Sequence, residues 1–230
     1  YGTSRNQGFY DFVIAKGAAR EVESIDADVL CALRMGAHQL LVLETPEHAA
    51  IFEMVELVKR ELRQSAAGFV NAALRRVAER SLDDWLELLD KQGLGTDEDL
   101  SIRYSHPLWV TRAIRLALEA DGAGGELEAA LNADNVNPKV NLVALPGKDI
   151  NSSGLTKGLA SPIGYVLESG DPSKFAGVST GSMRVQDQGS QLAALALVDV
   201  EKVQPNEKWL DMCAGPGGKA ALLAAEAKLA

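Results

Sequence analysis

Apolar residues recur every three to four positions through the first part of this 230-residue chain, and then the rhythm changes. Between residues 25 and 43, Val29, Leu33, Ala37 and Leu40 form one stripe, which predicts a helix facing a core. Thr45-Pro46-Glu47 supplies an N-cap, a proline at the first helical position and an acid in the first turn. That opens a second helix with Ile51, Val55, Val58 and Leu62 inward, broken by residues 64–68. A third begins at Phe69, with Val70, Leu74 and Val77 inward and Arg75 and Arg76 pointing elsewhere. Residues 81–89 predict a short helix with Leu82, Trp85, Leu86 and Leu89 apolar. The stretch QGLGTDED (92–99) is the best linker in the chain. His106-Pro107 then opens a helix to about Ala120, ended by DGAGG, and residues 126–132 make another short one. Both Trp85 and Trp109 read as core residues, and so does Cys31, as a small hydrophobe.

Beyond this point strand signals appear. VNLVAL (140–145) alternates, glycines and serines become frequent to about Ser182, and residues 165–167 and 183–185 are short strand candidates. A helix follows over 188–200, with Asp187 placed to cap it. WLDM (209–212) reads as a buried strand and 219–229 as an alanine-rich helix.

Composition narrows the class. Hydrophobic residues make up 47% of the chain, enough for one large or two modest cores. No apolar stretch approaches the roughly 20 residues of a membrane span. The chain opens YGTSRNQG, which is no signal peptide and lacks an initiator methionine, so residues are expected upstream. Cys31 and Cys213, far apart, suggest no disulfide framework and fit a reducing cytoplasm. With His38, His48 and His106 they show no zinc-type spacing, so no metal is expected. A net charge of −9 argues against a surface that binds nucleic acid all over. Charge is uneven, however. Residues 59–80 hold six cations (Lys59, Arg60, Arg63, Arg75, Arg76, Arg80) against two acids, whereas 81–101 hold seven acids and one lysine. Each run is either a solvated helix face or, for the basic one, a polyanion contact.

The candidate chemistry lies in KWLDMCAGPGGK (208–219). Strand, glycine turn and helix in that order are the first βα unit of a Rossmann-like sheet. Glycines at 215, 217 and 218 admit a ligand to the backbone, and the following helix N-terminus offers free N–H groups to an anion. A phosphate-binding Walker loop wants Gly and Ser or Thr where Cys213 and Ala220 stand, and the dinucleotide pattern GxGxxG is absent.

These residues carry a resemblance. DMCAGPGGK resembles the S-adenosylmethionine motif of RNA cytosine-C5 methyltransferases, commonly D-x-C-A-A-P-G-G-K. GSMRVQDQGSQLAA (181–194), YSHPLWV (104–110) and NPKVNL (137–142) are similar to three further segments of that family. YGTSRN, LRMGAHQLL and GFVNAALRR in the first 80 residues resemble the NusB-like RNA-binding domain fused to its RsmB/Sun branch, which modifies small-subunit ribosomal RNA. The resemblance implies a mainly α, NusB-like bundle over 1–80, linker helices and a smaller α+β RNA-recognition domain over 81–205, and the start of a Rossmann-like domain over 206–230. It implies S-adenosylmethionine contacts at Cys213, Ala214, Gly215, Pro216, Gly217, Gly218 and Lys219. Ribosomal RNA contacts fall to Lys59, Arg63, Arg75 and Arg76, with Arg103, Arg112 and Gln186 as weaker candidates. The two functional cysteines of the family, one attacking C6 of the cytosine, are expected beyond Ala230, so this stretch alone is expected to be inactive. A monomer in the cytoplasm is the accompanying expectation. Two other readings stay open: a NusB-like RNA-binding module without catalysis, and a nucleotide-binding enzyme that uses the glycine turn for phosphate.

Overall fold

The computed structural model describes residues 1–200 and 203–229, and by contacts the chain falls into two compact units, Tyr1–Val136 and Asn137–Ala230. The sequence reading had grouped residues 81–136 with those that follow; contacts group them with the residues that precede.

The first unit is helical. In order it comprises α1 (Gly2–Arg5), α2 (Gln7–Ala18), α3 (Ala27–Leu41), α4 (Glu47–Leu57), α5 (Ala67–Ala78), α6 (Leu82–Asp90), α7 (Thr96–Arg103), α8 (Leu108–Ala120) and α9 (Leu127–Asp134). The expected stripe of α3 is buried at Val29, Leu33 and Ala37, while Cys31 falls on its outer side and is exposed, contrary to expectation. Pro46 occupies the N-cap of α4 and Thr45 makes no capping bond there. The last turn of that helix, Val58–Leu62, widens to π geometry. A π turn advances fewer degrees per residue than an α turn, so Val58 stays buried while Leu62 swings out to 38% exposure. In α5, Val70, Leu74 and Val77 are buried and the two arginines exposed, as the spacing predicts. Leu74 fits against Gly36 of α3 so closely that a β-carbon there would lie 2.6 Å from Cδ1. Ser81 and Asp84 form a reciprocal capping box on α6, whose Trp85 is fully buried and donates Nε1–H to the Val77 carbonyl at 3.1 Å. This indole belongs to the same core as Tyr10, Ile14, Leu33 and Leu74.

The linker expected at 92–99 is half helix. After a turn at Gly93, Thr96–Asp99 form the first turn of α7, where three acids suit the positive helix end. A small second core joins Leu100, Leu127 and Leu131 to Ile114 and Leu118 of α8. That face leaves Trp109 on the opposite side of α8, 73% exposed, correcting the core assignment made from sequence. Ser105, beyond α7, accepts the Phe9 amide through Oγ at 2.9 Å.

The second unit is a four-stranded antiparallel sheet of β1 (Val140–Ala144), β2 (Leu155–Lys157), β3 (Gly164–Leu167) and β4 (Met183–Val185), in the order β2-β3-β1-β4. The short α10 (Ala176–Ser179) precedes β4, and α11 (Gln188–Val200) and α12 (Gly218–Glu226) follow. Val143 and Leu145 pack with Ala194 of α11 and with Leu222 and Leu223 of α12. The expected strand over 209–212 does not form: a strand exists only where a neighbour takes its backbone bonds, and none of the described residues pairs with these. Leu210 and Met212 are 82% and 89% exposed, and Trp209 alone packs against the helices. No parallel, Rossmann-like sheet is present among the described residues. None of the helices described is long and apolar enough to cross a membrane.

Candidate functional site

The glycine turn is organised by its own first residue. Asp211 accepts the Cys213 amide through Oδ1 at 2.9 Å, while its Oδ2 is buried without a partner. Lys219 closes the turn from the other side, donating to the Cys213 carbonyl at 3.3 Å. Gly217, at φ 104°, is the N-cap of α12, a conformation L side chains rarely adopt. No side chain caps this helix and no acid stands in its first turn, so its leading amides are open to a ligand. The peptide between Gly215 and Pro216 is cis. Cys213 to Pro216 are exposed, and Gly217 to Lys219 half-exposed.

The VQD segment reaches this turn. Gln186 is only 6% exposed, and its Cδ lies 3.3 Å from where a β-carbon on Gly218 would be. It donates Nε2–H to Ser190 Oγ at 3.2 Å, while Oε1 is buried and unpaired. Asp187 caps α11 through the Gly189 amide at 3.0 Å. Gln191, fully buried, donates to the carbonyls of Gln186 at 2.8 Å and Leu142 at 3.3 Å, clamping α11 to the sheet. Two of the motif's three glutamines therefore serve the scaffold, since Gln188 also accepts the Ala160 and Ser161 amides. Arg184 and Asp211 are site residues that the sequence reading did not single out. Alternation along β4 was the available signal for Arg184, two positions before Gln186 on one strand face.

S-Adenosylmethionine was expected on the turn, and the donor set fits such a ligand. Uncapped amides suit a carboxylate, the buried Asp211 oxygen suits an N–H donor, and Gly215 has no atom within 4 Å of a would-be β-carbon. A cavity of about 520 Å³, walled by Trp209, Asp211, Ala214, Ala220 and Leu223 among others, adjoins it.

In the first unit the basic run is partly neutralised. Lys59 pairs with Glu56 at 2.6 Å, Arg60 with Glu61 at 2.6 Å and Arg63 with Asp26 at 3.0 Å. The Arg75 side chain holds only Asn71, at 3.5 Å, and that of Arg76 forms no ion pair or hydrogen bond among the described residues. Lys59 and Arg75 line one cleft of about 540 Å³ with the exposed Phe52, whereas Arg76 lies toward Gly17 of α2. Arg103 sits between Asp90 and Asp99, and Arg112 pairs with Glu98 at 2.6 Å. The acidic run thus consumes these two cations within the unit, and the structure does not bring them to the Lys59–Arg75 cleft. No group of three or more metal-ligating side chains converges among the described residues.

Within the helical unit, residues 1–79 match the NusB family. The whole chain is in turn a homologue of RsmB/Sun-type ribosomal RNA small-subunit methyltransferases. It is 32% identical to ribosomal RNA small subunit methyltransferase B of Pseudomonas putida, over 100% of this chain and 52% of that protein. The same-named Pseudomonas syringae protein is 30% identical, over 95% and 48%. A Mycobacterium tuberculosis protein named "Putative methyltransferase Rv1407" is 41% identical, over 97% of this chain and 50% of its own length. The chain therefore spans about half the length of the curated relatives it matches. The crystal structure of PH0851 shares the fold, with a TM-score of 0.72 at 17% identity over 98% of this chain and 50% of that one.

Proposed function

We propose that this chain is part of a cytoplasmic S-adenosylmethionine-dependent methyltransferase acting on cytosine C5 of small-subunit ribosomal RNA. The observation that carries the reading is the meeting of two motifs far apart in sequence, Gln186 of VQD against Gly218 of the glycine turn. When bound, S-adenosylmethionine supplies an electrophilic methyl group on sulfur. The chain's residues hold and orient: the amides opening α12 take the carboxylate end, the Asp211 oxygen takes a donor, and Lys219 keeps the turn closed. Cys213, Ala214, Gly215, Pro216 and Gly217 form the wall against which the donor lies. The NusB-family bundle holds RNA, with Arg75 and Arg76 best supported because no acid engages them.

Neither cysteine of the chain is assigned as nucleophile. Cys31 lies on the outside of α3, and the Cys213 backbone is built into the turn itself. Methyl transfer by these 230 residues alone is therefore not expected. Calorimetry on the gene-length protein tests the proposal: adenosylmethionine binds and ATP does not. The reverse result favours a nucleotide enzyme, and binding of neither favours an RNA-binding module without catalysis.

A further inference from the structure

Arg184 lies on β4, exposed, and its side chain makes no ion pair or hydrogen bond among the described residues. Strand alternation puts it on the same face as Gln186, and both side chains reach the glycine pair. The Arg184 Nη2 ends 4.0 Å from where a side chain on Gly217 would begin, and Gln186 Oε1 ends 3.6 Å from the equivalent point on Gly218. Between them, Met183, Arg184, Val185, Pro216 and Gly218 line a cavity of about 310 Å³.

The electrostatics of this corner lean positive. The N-terminus of α12 is the positive end of its dipole, its first turn contains Lys219 and no acid, and the guanidinium stands against it. Of the nearby carboxylates, Asp187 caps α11, and Asp211 holds the Cys213 amide through Oδ1 while its Oδ2 stays open to an N–H donor. Like charges gathered at a helix N-terminus are unfavourable in the empty protein, and an oxyanion reverses the sign of every one of these interactions. Gln186 adds the independent sign of a missing ligand, a side chain more than nine-tenths buried whose acceptor Oε1 is unpaired at the same glycines; it suits an N–H donor beside the oxyanion, such as the α-ammonium next to an amino-acid carboxylate, and not the oxyanion itself.

We propose that Arg184, with the opening amides of α12, forms an oxyanion subsite beside the glycine turn. The inference rests on the cofactor reading of that turn. One chemistry has two sources here, the carboxylate of the methyl donor or a phosphate of the RNA.

The test uses the gene-length protein and its Arg184→Gln variant, with Arg184→Lys as a charge-keeping control. In one arm, calorimetry compares S-adenosylmethionine with decarboxylated S-adenosylmethionine. If the carboxylate is the partner, Arg184→Gln weakens the first by about tenfold or more and leaves the second unchanged. In the other arm, binding of a small-subunit rRNA fragment is followed against salt. If a phosphate is the partner, Arg184→Gln lowers the slope of log affinity against log salt by about 0.7 to 0.9 and spares the cofactor. Arg184→Lys keeps most of either effect. A variant indistinguishable from wild type in both arms overturns the subsite. Failure of the wild type to take up the methyl donor sinks the cofactor reading instead, and the RNA arm then decides the subsite by itself.

Discussion

Replacing Gly217 by alanine separates backbone geometry from mere smallness in the glycine turn. At φ 104° and ψ 9°, Gly217 sits where an L side chain is strained whatever room it has, and the room is ample, with nothing closer than 4.0 Å. Strain of this kind costs about 1–3 kcal/mol. If the turn must form to take up the donor, that cost weakens adenosylmethionine binding about five- to hundredfold. Gly218 differs, because it is helical and an added β-carbon meets only the flexible Gln186 side chain at 3.3 and 3.4 Å. Gly218→Ala therefore costs less than Gly217→Ala. Gly215→Ala has open space around it and no positive φ, so binding stays near wild type. Calorimetry on the three variants, with thermal melts to detect loss of folding, gives the ranking. A Gly215→Ala variant as weak as Gly217→Ala, or an unaffected Gly217→Ala, refutes the geometric argument.

Three further outcomes are expected. Arg75→Glu combined with Arg76→Glu weakens RNA binding and lowers its salt slope by about one to two, and unchanged retention in a filter assay rejects the role. Trp85→Phe removes the indole bond to the Val77 carbonyl, which keeps a long bond from the Arg80 amide at 3.5 Å, and leaves a gap in a fully buried site, costing about 1–3 kcal/mol in urea unfolding; a loss under about 0.5 kcal/mol contradicts that packing. Burial holds the His38 imidazole below its ordinary value near 6.5. Its unfolded form binds the proton first, so its stabilising contribution is complete above about pH 6.5 and is lost as pH falls through the folded value. Thermal melts across that range should flatten in His38→Gln, and an unchanged pH slope counts against the assignment.

Periodicity made α3, α5 and the strand over 140–145 legible because each presents one apolar face to a core. The failures share a cause. Whether residues 209–212 form a strand depends on a partner that no local pattern describes. Which side of α8 is buried depends on Leu100, Leu127 and Leu131, so Trp109 was assigned by its size instead of its neighbours. Leu62 was misplaced by a π turn that shifts helical phase without any marker in composition. At the candidate site, glycine spacing announced the turn, but the unpaired Asp211 oxygen and the position of Arg184 are products of packing. Charge counting likewise saw opposed runs without seeing that Arg103 and Arg112 partly neutralise the acidic one.

The hydroxyl of Ser105 reaches back across 96 residues to the Phe9 amide, and the Trp85 indole is seated among residues from the first helices. A protease or a recombination event that parts the chain at residue 80 pulls that indole from its socket and leaves the Phe9 amide without its acceptor. A break after Val136 severs neither. The piece that holds together as one packed unit, Tyr1–Val136, is thus longer than the stretch over which the NusB family matches.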